Sequence, residues 1–374
     1  MKKILYYIHV PWNWAKQRPH FIAEYLSGEF KVDVFQEKAY NFKNLSKNPI
    51  SENTAIHYLN RIPYDRNRLI SDINCYLIKN QLKELIRNYD IIWLAHPLLY
   101  KRIKDIIPVG TKVVYDCMDD HIEFPVIKNN PVRKAEIEAL ENELIKRANL
   151  VFCSSDFLKN KLLSRYGNKL KIITVNNSIH LNVGTGPEPE IQGKSTSDLL
   201  GSINKETSPF KYIVSYVGTI STWLDFEPVL RSVSRFSELV FLFFGPSEIE
   251  IPTHRQIKYF GPVPHNNVND VLALSDALIM PFQLSELILS VDPVKLYEYI
   301  YQCKPVIAIR YGETEKFSDY VYLYNDNDEF VKYMEMLCNG TLILKNTEQE
   351  HKTFAENNTW EKRTALIADC LNKL

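Results

Sequence analysis

The sequence predicts an α/β protein made of two Rossmann-like domains, each a parallel sheet with helices on both faces. Three observations lead there. Short apolar runs alternate with helical patterns twice along the chain. An aperiodic stretch at 181–209, rich in Gly, Pro, Ser, Thr and Lys, separates the two series and reads as a linker. At 374 residues with 45% hydrophobic content, the chain is long enough to bury two cores.

In the first series, residues 3–10, 31–36, 56–59, 91–95, 112–116, 150–153 and 172–175 read as strands. Helical patterns lie at about 17–27, 67–88, 131–148 and 156–165. The third is well marked. Asn130 precedes Pro131, as helix starts favour, and Ile137, Leu140, Leu144 and Ala148 make an apolar stripe. After the linker, strands are expected at 212–217, 240–244, 257–260, 277–281 and 306–309. Helices fall near 225–235, 266–274, 293–302 and 326–338, and 347–373 reads as one long amphipathic helix. Two such sheets facing one another would bring their strand C-termini to one cleft, where ligands bind in this architecture.

Composition narrows the function. The 45 Lys+Arg balance 45 Asp+Glu, so no global field draws nucleic acid. Six cysteines are scattered with no CxxC pair, which fits reduced thiols and neither a disulfide frame nor a zinc site. The basic tip MKK precedes a short apolar run that ends in Pro, so it reads as a first strand and not a signal peptide. No run reaches the ~20 apolar residues needed to cross a bilayer. The expectation is a cytoplasmic protein, soluble or peripheral to the membrane.

The most informative segment is 290–309, SVDPVKLYEYIYQCKPVIAI, read as loop, helix and buried strand. Asp292 and Pro293 are expected to open the helix as N-cap and first-turn proline. Lys295 then lies in the first turn, where free N–H groups already favour phosphate, and Glu298 lies one turn on along the same face. A cation for diphosphate and a carboxylate for ribose hydroxyls suit a nucleotide-sugar site. An ordinary α/β protein can carry the same helix without any ligand.

Several segments together carry a family resemblance. YVGTISTWLDF (216–226), FFGP (243–246), YFGPVPHNNVNDVLALSDALIMPF (259–282) and VDPVKLYEYIYQCKPVIAI (291–309) resemble the C-terminal domain of two-domain B-fold nucleotide-sugar glycosyltransferases. WNWAKQRPHFIAEYL (12–26), VVYDCMDD (113–120) and VFCSSDFLKNKL (151–162) resemble the same group, notably its bacterial members that build teichuronic acid, capsule and exopolysaccharide. AENNTWEKR (355–363) is similar to the closing helix that crosses back onto the first domain. The implied layout is an acceptor-binding domain over 1–185, a linker over 186–209, a nucleotide-sugar domain over 210–345 and a returning helix over 346–374. The implied activity moves a sugar from a nucleotide-sugar, UDP being the commonest in the group, to a glycan or polyprenyl-diphosphate-linked acceptor.

The resemblance also distributes roles. Gly218 allows close backbone approach, and the hydroxyls of Thr219 and Ser221 can bond a phosphate. Residues Phe260 to Val263 are placed beside the nucleobase. The loop 218–226 holds no cation, where many retaining relatives have Arg and Lys, so diphosphate neutralisation falls more heavily on Lys295, or on an arginine from elsewhere in the chain. Ser290 stands where many retaining relatives carry a glutamate, with Asp292 as a substitute, which weakens retention and is compatible with inversion. Inversion needs a general base. Asp119 and Asp120, in the loop after a strand, are the first candidates, Asp120 slightly favoured; His20 and His96 follow. Asp116, still within the strand, is read as structural. Arg18 is open between binding an acidic substrate group and pairing with a neighbouring carboxylate.

No cofactor and no metal is expected, since no DxD follows an apolar strand and a helix terminus with Lys295 can neutralise the leaving group. The basic amphipathic pattern at 67–88, followed by Lys101, Arg102 and Lys104, suits an anionic membrane surface. Its alternative is a core-facing helix with a solvated face. Two other functions share the layout: a nucleotide-sugar 2-epimerase and a non-catalytic nucleotide-sugar-binding protein. A dinucleotide dehydrogenase is disfavoured because no GxGxxG follows the first strand.

Overall fold

The twofold alternation of apolar runs and amphipathic helices produces two parallel sheets in a computed structural model, which describes residues 1–13, 16–39, 53–65, 67–167, 171–181 and 196–374. The first unit comprises Met1–Asn177 and Trp360–Leu374, and the second Ser178–Thr359.

In chain order the first unit runs β1 (Lys3–Ile8), α1 (Arg18–Leu26), β2 (Lys31–Ala39), β3 (Thr54–Arg61), α2 (Arg68–Leu82), β4 (Ile91–Leu94) and α3 (Pro97–Ile103). It continues with β5 (Lys112–Cys117), α4 (Pro125–Lys128), α5 (Pro131–Arg147), β6 (Leu150–Cys153), α6 (Asp156–Tyr166) and β7 (Ile172–Thr174). The strand order is β3-β2-β1-β4-β5-β6-β7, and every pairing is parallel. Helices cover both faces, so β1 alternates between two cores. Ile4, Tyr6 and Ile8 face one, and Leu5 and Tyr7 face the other.

The second unit runs α7 (Thr196–Thr207), β8 (Tyr212–Val217), α8 (Glu227–Arg235), β9 (Leu239–Phe244), β10 (Ile257–Gly261), α9 (His265–Ala273), β11 (Ala277–Met280) and α10 (Glu286–Leu289). It then adds α11 (Val294–Tyr301), β12 (Val306–Ile309), α12 (Gly312–Glu315), β13 (Val321–Tyr324), α13 (Asn327–Cys338) and α14 (Glu348–Asn357). Its parallel sheet is ordered β10-β9-β8-β11-β12-β13. Strand order reverses between β1 and β4 in one unit and between β8 and β11 in the other. At such a reversal the adjacent loops leave in opposite directions and open a crevice at the strand C-termini.

Three expectations need correction. The segment 347–373 is not one helix: α14 stops at Asn357 and α15 (Trp360–Asn372) follows. The interruption has a cause, because the Asn358 carbonyl accepts from the Ile179 N–H at 3.0 Å, and Ile179 bridges Thr359. Helix α14 packs on α11 in the second unit, and α15 packs on α1 in the first, with Trp360 stacked on Phe21. The segment that returns to the first unit therefore starts at Trp360, not at 346. The stretch 186–209 is not linker throughout, since α7 occupies its end; Ile203 is buried against Val240, Leu242 and Phe244. Asp292 does not cap α11. Pro293 holds the cap position, and Asp292, only 1% exposed, pairs with Lys316 and accepts from the Tyr297 hydroxyl. Helices α3, α4, α10 and α12 and strand β13 have no counterpart among the expected elements.

Candidate active site

In the second unit the site is built at the β8–β11 reversal. Gly218 follows β8 with φ of 151°, and Gly245 follows β9 with φ of 127°. Both positions exclude a side chain. A Cβ on Gly245 would meet the Gly218 carbonyl oxygen at 2.1 Å, and one on Gly218 would meet Lys295 Cε at 2.0 Å. The two turns thus stack backbone on backbone, with the Gly218 N–H donating to Phe244 O and the Gly245 N–H to Gly261 O, both at 2.8 Å. The side chain of Lys295 lies along the Gly218 backbone. Its ammonium sits 5.7 Å from the Tyr216 ring centroid. Burial holds this ammonium below the ordinary lysine range, against the opposing pull of Glu298. Lys295 and Glu298 share one face of α11, as their spacing required.

Other expected donor-site residues are already engaged. Ser221 is buried and donates to Glu248 at 2.6 Å, and Ser290 donates to Leu287 O at 2.7 Å. The Thr219 carbonyl accepts from the Tyr216 hydroxyl at 2.9 Å. Phe260 stacks on Phe244 at 5.3 Å and, with Val263, packs on the α7 side of the sheet. The structure thus brings together Gly218, Lys295 and Glu298, and ties Ser221, Ser290 and Asp292 into internal contacts.

In the first unit the loop after β5 carries the candidate bases, and they differ sharply. Asp120 is buried and ion-paired with Lys161. Asp119 is half-buried, and its carboxylate has no hydrogen bond or ion pair among the described residues. Burial pushes the Asp119 carboxyl up to about 6; Arg18 lowers it, and the Asp116 and Asp120 charges raise it. Asp120, the favoured candidate, is thus the engaged one, and Asp119 is the carboxylate left unpaired among the described residues.

Two further candidates are held by internal bonds. His20 is fully buried with both nitrogens used: Nδ1 accepts from the Gln17 N–H at 2.9 Å, and Nε2 lies 3.2 Å from Pro11 O. It is a structural histidine. Arg18 is buried and forks onto Asp116 at 2.9–3.1 Å while donating to Val175 O at 2.6 Å. Of its two readings, pairing with a carboxylate is the one seen. His96 caps α3, its Nδ1 accepting from the Leu98 N–H at 3.0 Å, which leaves Nε2 open. Among the described residues, no group of three His, Cys, Asp or Glu could hold a metal ion.

Comparison with known proteins decides the fold. No protein-family model matches the chain. It is 25% identical over 258 residues to the "Putative teichuronic acid biosynthesis glycosyltransferase TuaH" of Bacillus subtilis (strain 168), a match spanning 66% of this chain and 62% of that relative's length. Sucrose-phosphate synthase from Thermosynechococcus elongatus superimposes with a TM-score of 0.77 at 12% identity, covering 100% of this chain and 99% of that one. Anabaena HepE in complex with UDP-glucose gives 0.72 at 12% identity, with all of both chains covered. The "Trehalose-6-phosphate from E. coli bound with UDP-2-fluoro glucose" structure gives 0.68 at 11%, covering 100% and 99%. This chain has the two-domain B fold of glycosyltransferases.

Within the B fold, the sequence reading missed Gly245, His9 and His121. Gly245 was visible in FFGP, since a Gly directly after an apolar strand is the signal that singled out Gly218. His9 occupies the same place after β1 that Gly218 holds after β8, and His121 ends the DDH run after β5. Position relative to a strand end would have found all three.

Proposed function

We propose that the protein is a glycosyltransferase that takes a sugar from UDP-sugar and passes it to a glycan or lipid-linked oligosaccharide of the bacterial surface. The observation that carries this reading is the Lys295 ammonium laid over the Gly218 turn at the β8–β11 reversal of a B fold. That turn offers backbone groups and the Lys295 ammonium to a diphosphate, and Glu298, one turn further along α11, is assigned to the ribose hydroxyls. The likeness to TuaH supports surface polysaccharide as the product class, and the UDP-containing structural relatives support the nucleotide. The second unit binds the donor. The first supplies Asp119, which takes the proton of the acceptor hydroxyl as its oxygen attacks the anomeric carbon and UDP departs, giving inversion. Lys295 stabilises the diphosphate as charge develops on it.

Calorimetry with UDP and uridine tests the donor site. Lys295→Ala is expected to weaken UDP far more than uridine. Glu298→Ala is expected to weaken both, by about 1.5–3 kcal/mol, the usual worth of a hydrogen bond to a charged group. Equal losses of UDP and uridine in the lysine variant would remove Lys295 from the phosphate, and unchanged affinity in the glutamate variant would remove Glu298 from the ribose.

The polyprenyl-linked acceptor implies work at the inner face of the cell membrane. No described helix is long and apolar enough to cross a membrane. Helix α2 turns Ser71, Asn74, Ile78 and Leu82 inward and leaves Leu69, Ile73 and Tyr76 exposed. Arg68 and Lys83 lie exposed on the same helix end regions. The basic pattern is narrower than expected, however. Lys101 and Lys104 pair with Glu136 and Glu143, Arg102 is buried against Glu37 and Asp65, and Arg66 lies outside the described residues. Sedimentation with anionic vesicles should show binding that drops about tenfold in a Leu69→Asp, Ile73→Asp variant, since both apolar contact and charge drive such binding. Undiminished binding would place the membrane contact elsewhere.

A further inference from the structure

We propose that His9, His96 and His121 form a subsite that holds the hydroxyl groups of an uncharged sugar, the residue to be extended, beside Asp119. The inference rests on the glycosyltransferase reading only in naming that sugar as the acceptor.

The three rings come from three adjacent strand ends in the order β1-β4-β5. His9 follows β1, His96 follows β4, and His121 lies in the turn after β5. Ring centroids are 5.1 Å apart for His9 and His96, 5.7 Å for His9 and His121, and 4.1 Å for His96 and His121. The cluster therefore sits at the strand-order reversal, where ligands bind in parallel sheets. His9 is exposed and His96 half-buried, so it is reached from the surface, while His121 is only 5% exposed.

These histidines differ from the two that are locked into the main chain. His20 and His351 have both nitrogens engaged by main-chain groups. In the cluster, His121 Nε2 is buried with no hydrogen-bond partner among the described residues. His96 has only Nδ1 engaged, which puts the proton of its neutral form on Nε2 as a free donor. A buried polar atom left unmatched in a native fold calls for an explanation, and a bound ligand provides one.

Charge selects the ligand. Burial holds His121 down to about 3, with the His9 charge adding to the effect. His96 lies well below the usual histidine range, through burial first and then the charges of His121, His9 and Arg133. A neutral imidazole carries one donor and one acceptor, of which His96 keeps only its Nε2–H donor for a ligand, and such uncharged groups match sugar hydroxyls, themselves both donor and acceptor. A phosphate or carboxylate would need a cation there. Arg133 is occupied by Glu136 at 2.7 Å, and Arg18 by Asp116. The His121 N–H donates to the Asp119 carbonyl at 3.1 Å, so the cluster and the unpaired carboxylate share one turn.

The test uses full-length protein with labelled histidines, saturated with UDP and titrated with methyl glycosides of glucose, galactose, mannose and N-acetylglucosamine. Glucuronate and glucose 6-phosphate serve as charged comparisons. The expected result is that a neutral glycoside shifts the His9, His96 and His121 resonances but not those of His20 and His351. The charged sugars should bind at least tenfold more weakly. His9→Ala, on the exposed side and safe for folding, and His121→Phe, which keeps the ring volume, should each cost about tenfold in glycoside affinity with UDP affinity unchanged. If no neutral glycoside moves these resonances, or the charged sugars move them more, the subsite is wrong. Loss of UDP binding with an intact glycoside response would instead reject the transferase reading and leave the subsite standing.

Discussion

Asp119→Asn is expected to lower kcat for sugar transfer by about 10²–10⁴-fold, the usual contribution of a general base, with UDP affinity unchanged. The carboxylate is half-buried, unpaired among the described residues, and pushed up to about 6, so it can accept a proton near neutral pH. Asn keeps its size and removes its basicity. The base acts only when ionised. The wild-type rate should therefore rise with pH through a midpoint near 6 and level off above it, and the residual rate of the variant should lack that limb. Asp120→Asn should behave differently, since Asp120 is tied to Lys161: it should cost stability more than chemistry. Near-normal turnover in Asp119→Asn, or a product that keeps the donor's anomeric configuration by NMR, would overturn the assignment.

The largest effect on stability is expected at Asp116. Asp116→Ala leaves the Arg18 guanidinium, 4% exposed, without its carboxylate, and breaking such a buried pair typically costs about 3–5 kcal/mol. Urea unfolding of the first unit should shift to lower denaturant accordingly. Replacing both partners, as Arg18→Met with Asp116→Leu, should recover much of the loss, because two desolvated charges leave together. Donor affinity should not change in either variant while the protein is folded. If Asp116→Ala lost UDP binding without losing stability, Arg18 and Asp116 would belong to the donor site and their structural role would fail.

Much of the fold was legible because it depends on local pattern. Apolar runs of four to six residues punctuated by amphipathic helices give parallel strands with few alternatives, whereas the strand order came only from the structure. The failures share one cause. The 347–373 pattern is helical throughout, yet the Asn358 carbonyl is captured by Ile179, far away in sequence. Helix α7 looked like linker because its apolar residues gain a partner only when β9 forms beneath them. Asp292 sits where a cap should, but Lys316 and Tyr297 claim its carboxylate.

The candidate site divides in the same way. Residue spacing alone determined that Lys295 and Glu298 share a face of α11, that Gly218 follows a strand, and that carboxylates follow β5, because helix period and strand termini are properties of the local chain. Only the tertiary structure decided which of these groups are available for chemistry. It locked Arg18, His20, Ser221 and Ser290 into internal bonds, paired Asp120 with Lys161, and left the Asp119 carboxylate unpaired among the described residues. It also gathered His9, His96 and His121 from strands that are neighbours in the sheet and distant in sequence. Whether a polar side chain serves the fold or a ligand depends on which partners surround it, and those partners come together only when the sheet assembles.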